Sequence, residues 1–109
     1  MISLQSLHDL FENMRSAPQV DVSARLLWGY FFFGETSEPL ELLAEELERL
    51  GYTVVRLELT DDEFSYVLHV ELIEHHTPQS LFDRNSELEA LAAVHEGISY
   101  DGMDVGPVS

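Results

Sequence analysis

Apolar residues recur along this chain at two periods, and the switches between them mark out the elements. In "SLQSLHDLFENM", Leu4, Leu7, Leu10, Phe11 and Met14 fall at helical spacing, and Ser3 is placed to cap the start. Ala17 precedes Pro18 and is pushed out of the helical region, so a loop is predicted from about Ser16 to Ala24. "RLLWGYFFFG" is a continuous apolar and aromatic run closed by Gly34, which predicts a strand in the middle of a sheet. Gly29 lies inside that strand, where the missing side chain invites a close neighbour above it.

"ETSEPLELLAEELERLGY" carries the clearest helical stripe, formed by Leu40, Leu43, Ala44, Leu47 and Leu50. Thr36 or Ser37 can cap it, Pro39 is tolerated in the first turn, and Gly51 suits the residue after the end. "YTVVRLELT" then alternates, with Val55, Leu57 and Leu59 predicted to face one way and Val54, Arg56 and Glu58 the other. After the polar turn "TDDE", "FSYVLHVELIEHH" alternates again, so these two runs predict a hairpin. "TPQSLFDRNSELEALAAVHEG" predicts the last helix, with Thr77 as N-cap, Pro78 at the first position and a buried stripe of Leu81, Leu88, Leu91 and Ala92. Asn85 falls on that same stripe. "ISYDGMDVGPVS" predicts a short final strand.

A helix followed by β-α-β-β-α-β is the order of an α+β, ferredoxin-like domain. Its two core helices are expected on one face of an antiparallel sheet. The first and third strands are expected at the centre, and the last strand beside "LLWGYFFF", whose apolar edge would otherwise be open. On this reading the closing segment is ordered at least through Val105. The other sheet face is left for the first helix, a second subunit or a ligand. A length of 109 residues fits one domain, with residues 1–24 forming the helix and loop and residues 25–109 the βαββαβ core.

Composition changes the picture in one respect. There are 21 acidic residues against five arginines and no lysine, for a formal net charge of −16. Such a chain repels phosphate backbones, which argues against direct nucleic-acid binding, and it would attract a partner with a basic surface; solubility alone is the alternative role for the charge. Cysteine is absent, so neither a disulfide nor thiolate chemistry is available. The N-terminal segment lacks a basic start followed by an apolar run, and no apolar stretch is long enough to span a bilayer. A cytoplasmic protein without membrane contact is the expectation.

His69 and Glu71 stand two apart on one strand and so share a face. With Glu74, His75 and His76 near the strand end, they form a candidate metal site, although a catalytic metal needs three convergent ligands and the pattern supplies no third. Trp28 and Tyr30 share a face of the neighbouring strand and, beside His69 and Glu71, compose a candidate binding patch; core packing is the alternative. Asp101, Gly102 and Asp104 suit a turn or bulge to which Arg84 and Asn85 of the last helix could bond. Asp101 and Asp104 also join the candidate binding residues as acidic groups. No nucleophile motif and no glycine-rich phosphate loop is present.

The segments "LLWGYFF", "LHVELIEHHTPQSLFDRNSELEALA" and "SYDGMDVGPV", with "HTPQSL", "RNSEL" and "YDGMDVGP" the most specific pieces, resemble the family of the regulator of ribonuclease E activity B, over about residues 25 to 108. The resemblance implies a ferredoxin-like domain that regulates an RNA-degrading enzyme by protein contact, with no cofactor and no chemistry of its own. Three readings therefore enter the structural comparison: a regulatory or adaptor domain binding a basic protein, a small metal-dependent hydrolase using His69, Glu71 and His75 or His76, and a homodimer that binds a small ligand between open sheet faces.

Overall fold

The Ser3 hydroxyl accepts a hydrogen bond from the Ser6 N–H and opens the first helix, α1 (Leu4–Arg15), which buries Leu7, Phe11 and Met14. The remaining elements follow in the predicted order in a computed structural model that describes residues 2–17, 21 and 23–108. They are β1 (Leu26–Gly34), α2 (Ser37–Arg49), β2 (Thr53–Leu59), β3 (Tyr66–Glu74), α3 (Pro78–Val94) and β4 (Ile98–Gly106). The break expected at Pro18 lies outside the described residues. Thr77 and Ser80 cap each other reciprocally at the start of α3, with Pro78 behind the cap. Gly51 follows α2 at φ 103°, a left-handed conformation that favours glycine.

The four strands form one antiparallel sheet in the order β2-β3-β1-β4. β1 and β3 are central, and β4 lies along β1 from Ile98 to Gly106, so the closing segment is held in the sheet. Directly paired residues of β1 and β3 share a face: Trp28 lies opposite Leu72, Tyr30 opposite Val70, Phe31 opposite His69 and Gly29 opposite Glu71. One set of alternating residues, including Leu26, Trp28, Tyr30, Phe32, Leu68 and Val70, is buried in a core with α1, α2 and α3. α1 packs beside α3 and stacks Phe11 on Trp28, so all three helices share one side of the sheet. The result is an α+β domain with one sheet face left uncovered by its own helices.

Both edge strands carry a bulge, and each bulge re-aims side chains. In β2 the register shifts between Val54 and Arg56, which brings both Val54 and Leu57 against the core. The predicted alternation is corrected there: Val55 turns out and is 46% exposed. In β4 the register shifts opposite Phe31 and Phe32, with Gly102 at φ 130° and Asp101 as the extra residue. Tyr100 and Met103, three apart, thereby both reach the helix side and meet Asn85. The Tyr100 hydroxyl donates to Asn85 Oδ1, and Asn85 Nδ2 donates to Met103 Sδ at 3.7 Å. Asn85 is 1% exposed, so it is the polar fastener between α3 and the bulge. Replacing it with leucine strands the Tyr100 hydroxyl and is expected to cost about 1–3 kcal/mol in thermal unfolding; an unchanged melting temperature contradicts the fastening role.

Candidate interaction face

Glu74, the last residue of β3, gathers a polar cluster on the helix side. Its carboxylate accepts two hydrogen bonds from the Arg84 guanidinium, one of them at 3.0 Å, and a third from the Tyr30 hydroxyl at 3.1 Å. His76 Nε2 lies 3.0 Å from the same carboxylate, and His76 Nδ1 shares a hydrogen bond with Ser80 Oγ at 2.9 Å. The Glu74 carbonyl takes the indole N–H of Trp28 at 3.0 Å, and the Arg84 guanidinium sits over the Tyr52 ring. The cluster ties the end of β3 to the first two turns of α3 and to β1.

Its titration behaviour follows from that enclosure. Burial works against the Glu74 charge, but the Arg84 hydrogen bonds and His76 outweigh it and hold the carboxyl below its ordinary pKa. Burial lowers the His76 pKa, and the attraction of Glu74 offsets this only in part. Burial also raises Tyr30 and Tyr52, the latter to about 12, so both stay neutral phenols at ordinary pH. Below about pH 6.5 the unfolded chain binds a proton that the folded His76 resists. The His76 contribution is therefore full above that pH and is lost as the pH falls toward the folded pKa. Glu74 acts in the same direction below the ordinary carboxylate range. Denaturant unfolding at several pH values is expected to show the wild type losing stability relative to His76→Gln on acidification from about pH 7 to about pH 5; a constant difference rules the assignment out.

The uncovered face presents a different set. Phe31 and His69 stack with ring centroids 4.3 Å apart and planes 16° from parallel. His69 Nε2 and the Asp104 carboxylate both lean over Gly29; a Cβ there would lie 2.7 Å from His69 Nε2 and closer still to Asp104 Oδ1. Gly29 thus admits a neighbour above the strand, as the sequence implied. Glu71 and Leu27 complete a shallow hollow of about 230 Å³ around this point. A second hollow of about 400 Å³ lies further along the face, floored by Phe31, Phe33 and Val67, with Arg56, Asp61 and Asp101 around it.

The structure joins some of the expected residues and separates others. His69, Glu71, Asp104 and Gly29 meet on the open face, and Asp101 lies at its second hollow. Trp28 and Tyr30 do not join them: they point to the opposite side of the sheet and are 1% and 0% exposed. The proposed four-residue patch is therefore split, because Trp28 and Tyr30 fall in register with the core residues Leu72 and Val70. Asn85 bonds to the side chains of Tyr100 and Met103, on either side of Asp101 and Gly102, while Arg84 turns to Glu74. The metal-site reading is corrected as well. His76 is buried among the helices with both ring nitrogens engaged, His75 is exposed at the strand end, and neither converges with His69 and Glu71. Among the described residues no three potential ligands come together. Phe31 and Phe33 escape the sequence reading because both faces of "LLWGYFFF" are apolar and no polar alternation marks the outer one, and Asp61 escapes it because "TDDE" signals only a turn.

The chain is thus an α+β domain whose helices leave one sheet face bare, with Phe31 and His69 on its central strands, Asp101 and Asp104 on β4 and Asp61 in the turn after β2. Among the described residues, no helix is long and apolar enough to cross a membrane. The family model of the regulator of ribonuclease activity B matches residues 6–105, and the chain belongs to that family. The match takes in most of α1, which the resemblance of the sequence segments had left out. A search of curated proteins finds no match. The stretch "EHHTPQSLFDRN", residues 74–85, supplies Glu74, His76, Ser80 and Arg84 to the polar cluster and Asn85 to the side chains beside the β4 bulge.

Proposed function

We propose that this chain regulates a ribonuclease of the ribonuclease E type by protein contact made through the open sheet face, without chemistry of its own, in the cytoplasm. The observation that carries the reading is that face, where Phe31, Phe33 and the stacked His69 lie partly exposed between Asp101 and Asp104 of β4 and Asp61 of the turn after β2. Aromatic groups supply contact area, and a charge of −16 supplies attraction to a basic surface. The central placement of β1 and β3 supports reading the domain as ferredoxin-like, and the single apolar core supports one domain over residues 1–109. The same charge opposes pairing of two copies face to face, which places a homodimer second.

The test is a cleavage assay with purified ribonuclease E and a structured RNA, run with increasing protein. Cleavage is expected to fall, and association, followed by surface binding, is expected to slow by roughly tenfold between low and moderate salt. His69→Ala together with Phe31→Ser is expected to abolish both effects while the fold remains. Cleavage unaffected by a stoichiometric excess of wild-type protein, with no complex at low salt, overturns the reading. Light scattering separates the homodimer.

A further inference from the structure

The hollow floored by Phe31, Phe33 and Val67 is more specific than a general acidic surface. Two carboxylates approach it from opposite edges of the sheet: Asp61 from the turn after β2, and Asp101 from the bulge of β4. Asp101 owes its position to the extra residue of that bulge, the same feature that sends Tyr100 and Met103 to Asn85 on the other side. Among the described residues neither Asp61 nor Asp101 forms an ion pair. Arg56 lines the hollow too, but its guanidinium is bound to Glu58 at 2.6 Å, so its charge is already compensated. The remaining field in the hollow is negative, over an aromatic floor.

That combination selects among ligand chemistries. Phosphates and carboxylates are repelled by the rim and by the whole molecule. A purely apolar group would cover Asp61 and Asp101 and leave them unpaired. A guanidinium satisfies both parts: its plane stacks on a phenyl ring, and its edge N–H groups donate to carboxylates. An ammonium matches the charge but has no planar face to stack. The volume of about 400 Å³ lies within the range of small-ligand sites, roughly 300–1,000 Å³.

We propose that this hollow is a guanidinium subsite that takes one arginine side chain of the protein partner, stacked on Phe33 or Phe31 and hydrogen-bonded to Asp101 and Asp61. It rests on the partner-binding reading above and identifies the side chain the partner must offer.

The test uses the full chain labelled with ¹⁵N and three probes at low salt: the peptide acetyl-Gly-Arg-Arg-Gly-amide, its lysine counterpart and its citrulline counterpart. The arginine peptide is expected to shift the amides of Phe31, Phe33, Asp61 and Asp101 and to bind about fivefold more tightly than the lysine peptide. The citrulline peptide, planar but uncharged, is expected to produce no saturable shift. Asp101→Asn and Phe33→Leu are each expected to weaken arginine binding about fivefold. Asp61→Asn, at an exposed turn, serves as a further variant if Phe33→Leu loses stability. Equal binding of arginine and lysine peptides, or shifts spread over the acidic residues of α2 and indifferent to these variants, overturns the subsite. The ribonuclease assay keeps the two claims apart. Regulation retained by Asp101→Asn and Asp61→Asn alongside an unselective peptide response defeats the subsite and leaves the regulatory reading standing. Selective arginine binding by a protein that leaves cleavage unchanged does the reverse.

Discussion

Replacing Glu74 with alanine is expected to lower the free energy of unfolding by about 3 kcal/mol, measured by urea denaturation with an unchanged slope. The loss is larger than that of a surface ion pair, about 0–1 kcal/mol, because both partners are largely enclosed: the Glu74 side chain is 19% exposed and that of Arg84 20%. Removing the carboxylate leaves the guanidinium in a low-dielectric setting without its bidentate acceptor, and it removes the acceptor of the Tyr30 hydroxyl and the neighbour of His76 Nε2. The penalty arises from stranded partners more than from a lost attraction. The double replacement Glu74→Leu with Arg84→Met is therefore expected to be less destabilising than Glu74→Ala alone. Should the double variant lose the sum of the two single effects, the groups act independently and the cluster is not a unit.

Trp28→Ala is expected to cost about 3–5 kcal/mol, the largest effect of a single truncation in this domain. The indole is 1% exposed, stacks on Phe11, meets the edge of His76 at 5.1 Å and donates to the Glu74 carbonyl. Its removal opens a cavity between α1, β1 and the start of α3, and the freed carbonyl loses its donor. Because the chain has a single tryptophan, wild-type unfolding can be followed by its fluorescence, and circular dichroism follows the variant. The consequence for function is direct. A Trp28 variant that fails to bind a partner reports unfolding and not a lost contact, so the surface residues Phe31, Phe33, His69 and Asp101 are the informative positions. A Trp28→Ala protein as stable as the wild type would mean that α1 does not seal this part of the core.

The helices were legible in the chain because their signals are local. Ser3 and Thr77 cap where they were placed, and the stripe Leu40, Leu43, Ala44 and Leu47 is the buried face of α2. The strands were legible for a similar reason, and so was the pairing of the last segment with β1, since a long apolar strand cannot end a sheet uncovered. Alternation within a strand shows which of its residues share a face; it does not show which face of the next strand they join. In β3 the apolar set of Leu68, Val70 and Leu72 points inward and leaves His69 and Glu71 outside. In β1 both sets are apolar, so nothing local opposed placing Trp28 and Tyr30 beside His69. The two bulges escape alternation altogether, because one extra residue reverses the parity of everything beyond it.

By itself, then, the amino-acid order determined the succession of helices and strands, the place of the closing strand beside β1, the strongly negative charge and the family, since each depends on neighbours along the chain or on totals. Only the tertiary structure decided that Glu74, His76 and Arg84 lock the core, that Trp28 and Tyr30 lie beneath the sheet, and that Phe31, Phe33, Asp61 and Asp101 share a hollow on its open side. Those outcomes depend on strand register and on two bulges, which are set by how whole faces pack against one another and not by any short stretch of sequence.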